Sequence, residues 1–302
     1  MESALILWYV LVAGSLLVLV CDLATNTPTG GVMKLAWVLV VLYTGPVGLV
    51  LFLLSCRQPL PGSHDEFIRA HWKQATGSLL HCVAGDATGI ILSAAIVYHF
   101  ALPNGFDLVI EYLSAFIVGL FVFQALFMLK MYDGAYWLAV RKTFFAETVS
   151  MNLVMVGMIP TMMVLTHRVP GADSPYRLEF WGVMSLATMA GMVTAYPINS
   201  WMVGRGLKHG MMSAVPKPKG SIKAARKMEE MGMQEHEGAP MGDMKMDMRG
   251  GHESPHDSGH HYEAASLPKE KAMGILLVTS LLLLIVVWVT SRFVPLSFRF
   301  QA

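Results

Sequence analysis

Between Ala75 and Phe100 an apolar run is interrupted by Ser78, His81, Cys82, Gly85, Asp86, Gly89 and Ser93. At helical spacing these positions fall within an arc of about 140°, while Leu80, Val83, Ala84, Ala87, Ile90 and Ile91 take the other side. An ionisable group in mid-bilayer costs about 2.5–3.5 kcal/mol, so it comes with a partner or a purpose. An imidazole, a thiol and a carboxylate on one helix face can bind an ion or a metal, or relay a proton. The structural alternative is that His81 and Asp86 only bond across helices to hold a bundle together. Gly85 and Gly89, four residues apart, let a neighbouring backbone come close and read as a packing motif.

Two later runs carry sulfur. In Phe144–Leu165, Glu147 shares an arc of about 80° with Met151, Met155, Met158 and Met162, and Asn152 borders it. In Glu179–Met202, the residues Met184, Thr188, Met192, Tyr196, Asn199 and Met202 span about 120°. Pro197 removes one ladder bond there and frees the carbonyl of Val193 as an oxygen ligand or a hinge. Thioethers suit Cu(I) or Ag(I), whereas carboxylate and imidazole accept many metals or protons. Methionine is equally a flexible packing residue, so both stripes also read as core.

A third concentration lies in Val203–Lys271, where Met228, Met231, Met233, Met241, Met244, Met246 and Met248 precede His252, His256, His260 and His261. The tract has no apolar period, is rich in glycine and charge, and is expected to be disordered. Packing does not explain methionines in such a segment. Their spacing lets several thioethers reach one soft ion, and the imidazoles add capacity for Cu(II), Ni(II) or Zn(II). The alternative is a linker of biased composition. His252-Glu253-Ser254-Pro255-His256 matches HExxH, but that motif needs a helix which Pro255 and the nearby glycines oppose. Gly204-Arg205-Gly206 follows no strand, so no nucleotide cofactor is indicated. The basic run Lys217–Lys227 suits anionic lipid better than nucleic acid.

The elements that position these groups follow from composition. Of 302 residues 54% are hydrophobic and only 14% charged, which excludes a water-soluble globule and a disordered chain. Three cysteines without a CxxC spacing make no disulfide scaffold. Seven stretches are long enough to span hydrocarbon: Leu5–Leu23, Met33–Cys56, Ala75–Phe100, Asp107–Lys130, Phe144–Leu165, Glu179–Met202 and Ala272–Phe293. The first has no preceding Lys or Arg and no small-x-small cleavage site, so it is expected to remain as a helix. Ser63-His64-Asp65-Glu66 reads as a capping box opening a short interfacial helix.

The expected fold is an all-α integral membrane bundle of about seven transmembrane helices with a long disordered loop before the last. Its parts are 1–62 with two helices, a four-helix core at 63–212, the loop at 213–271 and a final helix in 272–302. Lys and Arg concentrate in the second, fourth and sixth loops. The positive-inside rule then places the N-terminus and the Met/His loop in the cytoplasm of a bacterial-type plasma membrane, and the C-terminus outside. A Met/His tract without cysteine would suit Cu(I) better outside the cytoplasm, where thiolates do not compete, but the charges favour inside.

The run His81-Cys82-Val83-Ala84-Gly85-Asp86-Ala87-Thr88-Gly89, with Tyr196-Pro197-Ile198-Asn199 and Gly206-Leu207-Lys208-His209-Gly210-Met211, resembles a bacterial and archaeal multi-pass membrane family of unknown function. The resemblance covers about Ala75–Met212. It implies that His81, Gly85, Asp86, Gly89, Tyr196, Pro197, Asn199, Lys208, His209 and Gly210 belong to the family pattern, and it implies no activity.

The residues themselves lead to the expectation of a metal-homeostasis membrane protein rather than an enzyme, handling copper as Cu(I) or Cu(II). The intramembrane site would comprise His81, Cys82, Asp86, Glu147, Asn152, Tyr196 and Asn199. The alternatives are a non-transporting metal-binding or assembly factor that serves a copper protein or chaperone, and a haem-type redox protein, weakened because His81 is the only histidine well inside a span.

Overall fold

The computed structural model describes residues 2–100, 102–211 and 267–298. Met228, Met231, Met233, Met241, Met244, Met246, Met248, His252, His256, His260 and His261 lie outside the described residues. The described chain is all-α. Its helices are α1 (Glu2–Thr25), α2 (Gly31–Thr44), α3 (Pro46–Ser55), α4 (His64–Phe67), α5 (His71–Val97), α6 (Asn104–Ile117), α7 (Ala125–Met128), α8 (Tyr136–Arg168), α9 (Leu178–Gly204) and α10 (Lys269–Ser291). A π-helical segment, Val118–Gln124, joins α6 to α7 without a break.

Six helical spans among the described residues are long and apolar enough to cross a bilayer: Glu2–Thr25, His71–Phe100, Asn104–Met128, Tyr136–Arg168, Leu178–Gly204 and Lys269–Ser291. The protein is an integral membrane protein. Large apolar side chains on α1 and α10, among them Leu7, Leu17, Leu284 and Trp288, point away from the bundle, as hydrocarbon-facing helices require. The opposite holds for α5, in which every residue from Ala75 to Ala87 is buried. Its apolar side packs on protein and its small, polar side meets α6, α8 and α9.

The second apolar stretch, Met33–Cys56, is not a span. It breaks at Gly45, whose φ of 56° is open to glycine, and Pro46 starts the next helix. The chain reverses there. Trp37 and Phe52 meet edge to face with ring centroids 5.2 Å apart, whereas fifteen residues of straight helix would separate them by about 22 Å. A Cβ on Gly48 would lie 3.1 Å from Val41 Cα. At about 21 and 15 Å, the two arms are each shorter than the roughly 30 Å of hydrocarbon. They form a helical hairpin whose two arms start and end at the same end of the bundle.

Both feet of this hairpin stand at one end of the bundle. Asn26 Nδ2 donates to Gln58 O at 2.9 Å, and Arg57 Nε pairs with Asp22 at 2.9 Å. The start of α1 is at the other end, where Tyr9 donates to Leu178 O and Leu5 lies against Gly182. That end also gathers the connection after α5 and the exit of α10: Gly105 N donates to Ser297 O, and Asn104 Nδ2 to Pro295 O. The sequence expectation of two N-terminal spans, with Glu2 and Arg57 on the same side, is therefore corrected. Six of the described helices are long and apolar enough to cross, Glu2 and Arg57 are at opposite ends of the bundle, and Lys34 belongs to the Arg57 end, where its Nζ donates to Leu23 O.

The capping box is also absent. Ser63 Oγ donates to Leu60 O instead of capping, and α4 is a single turn. Phe67 is covered by Lys73, whose Nζ sits 3.0 Å above the ring centroid.

Candidate functional site

The polar face of α5 is met at mid-helix by a lysine from beyond the end of α9. After Gly204 the chain closes a left-handed cap: Leu207 N donates to Met202 O at 2.9 Å and Gly206 N to Val203 O at 3.0 Å, with Gly206 at φ 66°. These are the two bonds of a Schellman motif, and Leu207 and Met202 share its apolar contact. The turn sends residues 208–211 back along α5. Met211 lies against Gly77 and Gln74 against Gly210, both places where a Cβ would collide. Lys208 is left 3% exposed, inside the bundle rather than among the loop cations where its sequence position suggested it.

Lys208 Nζ donates to Cys82 Sγ at 2.6 Å and to Asn199 Oδ1 at 2.9 Å, and lies 3.6 Å from Glu147 Oε2. The Cys82 thiol in turn donates to Glu147 Oε2 at 2.7 Å. Asn199 Nδ2 donates to Ser150 Oγ at 2.8 Å, and Ser78 Oγ reaches Asn199 Oδ1 at 3.5 Å. Burial pulls the neighbouring His209 down to about 4, so that ring is neutral at pH 7.

Asp86 completes the group. Gly119, in the π-helical segment, faces both acids: a Cβ there would collide with Asp86 Oδ1 and lie 3.0 Å from Glu147 Oε1. Both oxygens of Asp86, and Oε1 of Glu147, are buried without a hydrogen-bond partner among the described residues. A π-turn widens a helix by one residue per turn, and such turns recur at functional sites. Gly85 and Gly89 allow this approach, since Gly85 lies against Gly119 and Phe123, and Gly89 against Ser114 and Ala115. His81 stacks on Phe127 with centroids 4.5 Å apart, and its Nδ1 is 3.7 Å from Cys82 Sγ. The cluster thus joins His81, Cys82, Asp86, Glu147 and Asn199 with Lys208, Ser78 and Ser150.

Two expected members stand apart. Asn152 accepts from Tyr112 at 3.0 Å and donates to Thr279 and Ser280, tying α6 and α10 to α8. Tyr196 is half-buried against the main apolar core. Met151, Met155, Met158, Met162, Met184 and Met192 all enter that core, with Met158 seated on Gly191. Met202 joins a separate cluster with Ala146 and Val149. Among the described residues, no three His, Cys, Asp or Glu side chains are grouped to hold a metal ion.

Sequence reasoning did not single out Lys208 as a site residue, nor Glu111, Gly119 or Ser150. The signal for Lys208 was available in Gly206, a glycine two residues past a helix end. The signal for Glu111 was its position as an acid inside an apolar run, four residues after Asp107.

The chain is thus a helical membrane protein in which a lysine and two acidic side chains are buried together inside the bundle. Residues 71–208 match the family model described as "Domain of unknown function (DUF4396)". The domain runs from the first residue of α5 to Lys208 and so contains every member of the cluster. Neither the curated proteins nor the solved structures include a match to the chain.

Proposed function

We propose that the chain handles a cation within the membrane, taking it into or through the bundle in exchange with protons, and that copper is its cargo. The carrying observation is a charge count. Asp86 and Glu147 supply two carboxylates against the one ammonium of Lys208, all buried, and three of the four carboxylate oxygens lack a hydrogen-bond partner. Neutrality in a low-dielectric site then asks for one further positive charge, a proton or a monovalent cation, and the two compete for the same place. That competition is the elementary step of proton-coupled ion movement. Lys208 lies beside Glu147, the π-turn at Gly119 gives the acids room, and Asp86, with neither oxygen bonded among the described residues, is the acid left to take the exchanging charge.

Copper is supported by donor chemistry. The tract containing Met241, Met244, Met246, Met248, His252, His256, His260 and His261 offers thioethers and imidazoles, and the methionines of α8 and α9 offer more sulfur within the bundle. Charge supports a cytoplasmic Arg57 end. Lys34, Arg57, Arg69, Lys73, Arg141, Lys142 and Arg205 belong to that end, and Arg168, Arg177 and Arg292 to the other. On this reading the Met/His tract begins and ends on the cytoplasmic side, and the Glu2 end faces outward.

The test is Cu(I) flux in proteoliposomes loaded with a pH reporter. Wild-type protein is expected to move copper with an opposing proton signal, and Asp86→Asn to lose both while still inserting. Flux and proton signal unchanged in Asp86→Asn would refute the central role of the dyad. Copper bound at equilibrium by wild type without flux would favour the accessory metal-binding reading.

A further inference from the structure

Outside the central cluster, a cavity lined by described residues opens at the Glu2 end between α5, α6, α8 and α9, with a volume of about 600 Å³. Asp107 and Glu111, one helical turn apart on α6, line it together with Met162, Met163, Met184 and His167. Glu111 also lines a smaller pocket directly beneath, whose walls include Tyr112, Met155, Met158 and Met162. Glu111 is only 8% exposed, yet its carboxylate makes no hydrogen bond or ion pair with any described residue. A carboxylate so placed, with no cation beside it and thioethers around it, is unusual for a site whose role is packing alone, because a buried acid without a partner is costly.

We propose that this cavity is a second cation site, at which a soft monovalent ion, Cu(I) or Ag(I), docks before it reaches the central cluster. This rests on the cation-handling reading and adds an entry site and a cargo class to it. Met162 and its neighbours Met155, Met158 and Met184 supply thioether ligands, which favour soft ions over hard ones. Glu111 supplies the countercharge that makes desolvation of the ion affordable, and Asp107 and His167 line the path from the mouth. The smaller pocket is closed to a water-sized sphere, and the methionines in its walls extend the line of sulfur to Tyr112, whose hydroxyl donates to Asn152. The two sites thus divide the work: sulfur selects the ion near the surface, and the carboxylate dyad exchanges it for a proton deeper in.

The test is Ag(I) stoichiometry at saturation, measured by equilibrium dialysis on the purified full-length protein in nanodiscs. Ag(I) bound by the Met/His tract is common to every variant and cancels in the comparison. Glu111→Gln and Met162→Leu, made singly, are each expected to bind one equivalent fewer than wild type, with Zn(II) stoichiometry unchanged. Asp86→Asn is expected to keep that equivalent. Full Ag(I) stoichiometry in both cavity variants overturns the site, and a loss of Zn(II) in place of Ag(I) overturns its soft-ion character. If the cavity variants lose the equivalent while wild type shows no flux, the site stands and the transport reading falls. If flux depends on Asp86 while Ag(I) binding is untouched at the cavity, the reverse holds.

Discussion

Lys208 and Glu147 are both fully enclosed and lie 3.6 Å apart, so each is the other's nearest countercharge partner. Removing one partner of a buried pair costs about 3–5 kcal/mol, because the survivor is left desolvated and uncompensated. Lys208→Met is accordingly expected to lower the unfolding midpoint in detergent sharply. Lys208→Met combined with Glu147→Gln is expected to regain more than half of that loss while remaining inactive in flux. A double variant as unstable as the single one would mean that the lysine acts through Asn199 and Cys82 rather than through charge. His81, Cys82, Asp86 and Glu147 were legible as a polar set because they fall on helix faces. Their partner was not, because Lys208 lies outside any periodic segment and is brought in by a turn.

The π-helical segment Val118–Gln124 is the element on which the site depends, since it places a residue without a side chain opposite both acids. Gly119→Ala would drive a methyl group into Asp86 and Glu147, and such overpacking costs about 1–3 kcal/mol. The expected outcome is a folded, less stable protein with flux reduced at least tenfold. Wild-type flux would show that the acids have room to spare. Hydrophobic periodicity could not reveal this segment, because seven residues of altered winding leave an apolar run apolar. The hairpin of α2 and α3 escaped for a related reason. Its composition is that of a span, and only Gly45-Pro46 marks the reversal.

Across the whole molecule the six long helices and the apolar surface of α1 and α10 were legible from composition and run length alone. The connectivity was not, because a reversal inside an apolar stretch changes the side on which everything before it lies. Single cysteines at Glu2 and Asp173 are expected to react with an impermeant maleimide from the outer face of oriented vesicles, and cysteines at Arg69 and Asp133 from the inner face. Labelling of Glu2→Cys and Arg69→Cys from the same face would contradict the hairpin. One consequence of the hairpin concerns parity. Because Gly31–Ser55 enters and leaves at the same end, a relative could gain or lose this segment without inverting any helix that follows. Loss of α1 would likewise leave the downstream insertion untouched and would only move the start of the chain to the opposite compartment. The bundle from α5 onward is therefore insulated from variation in what precedes it.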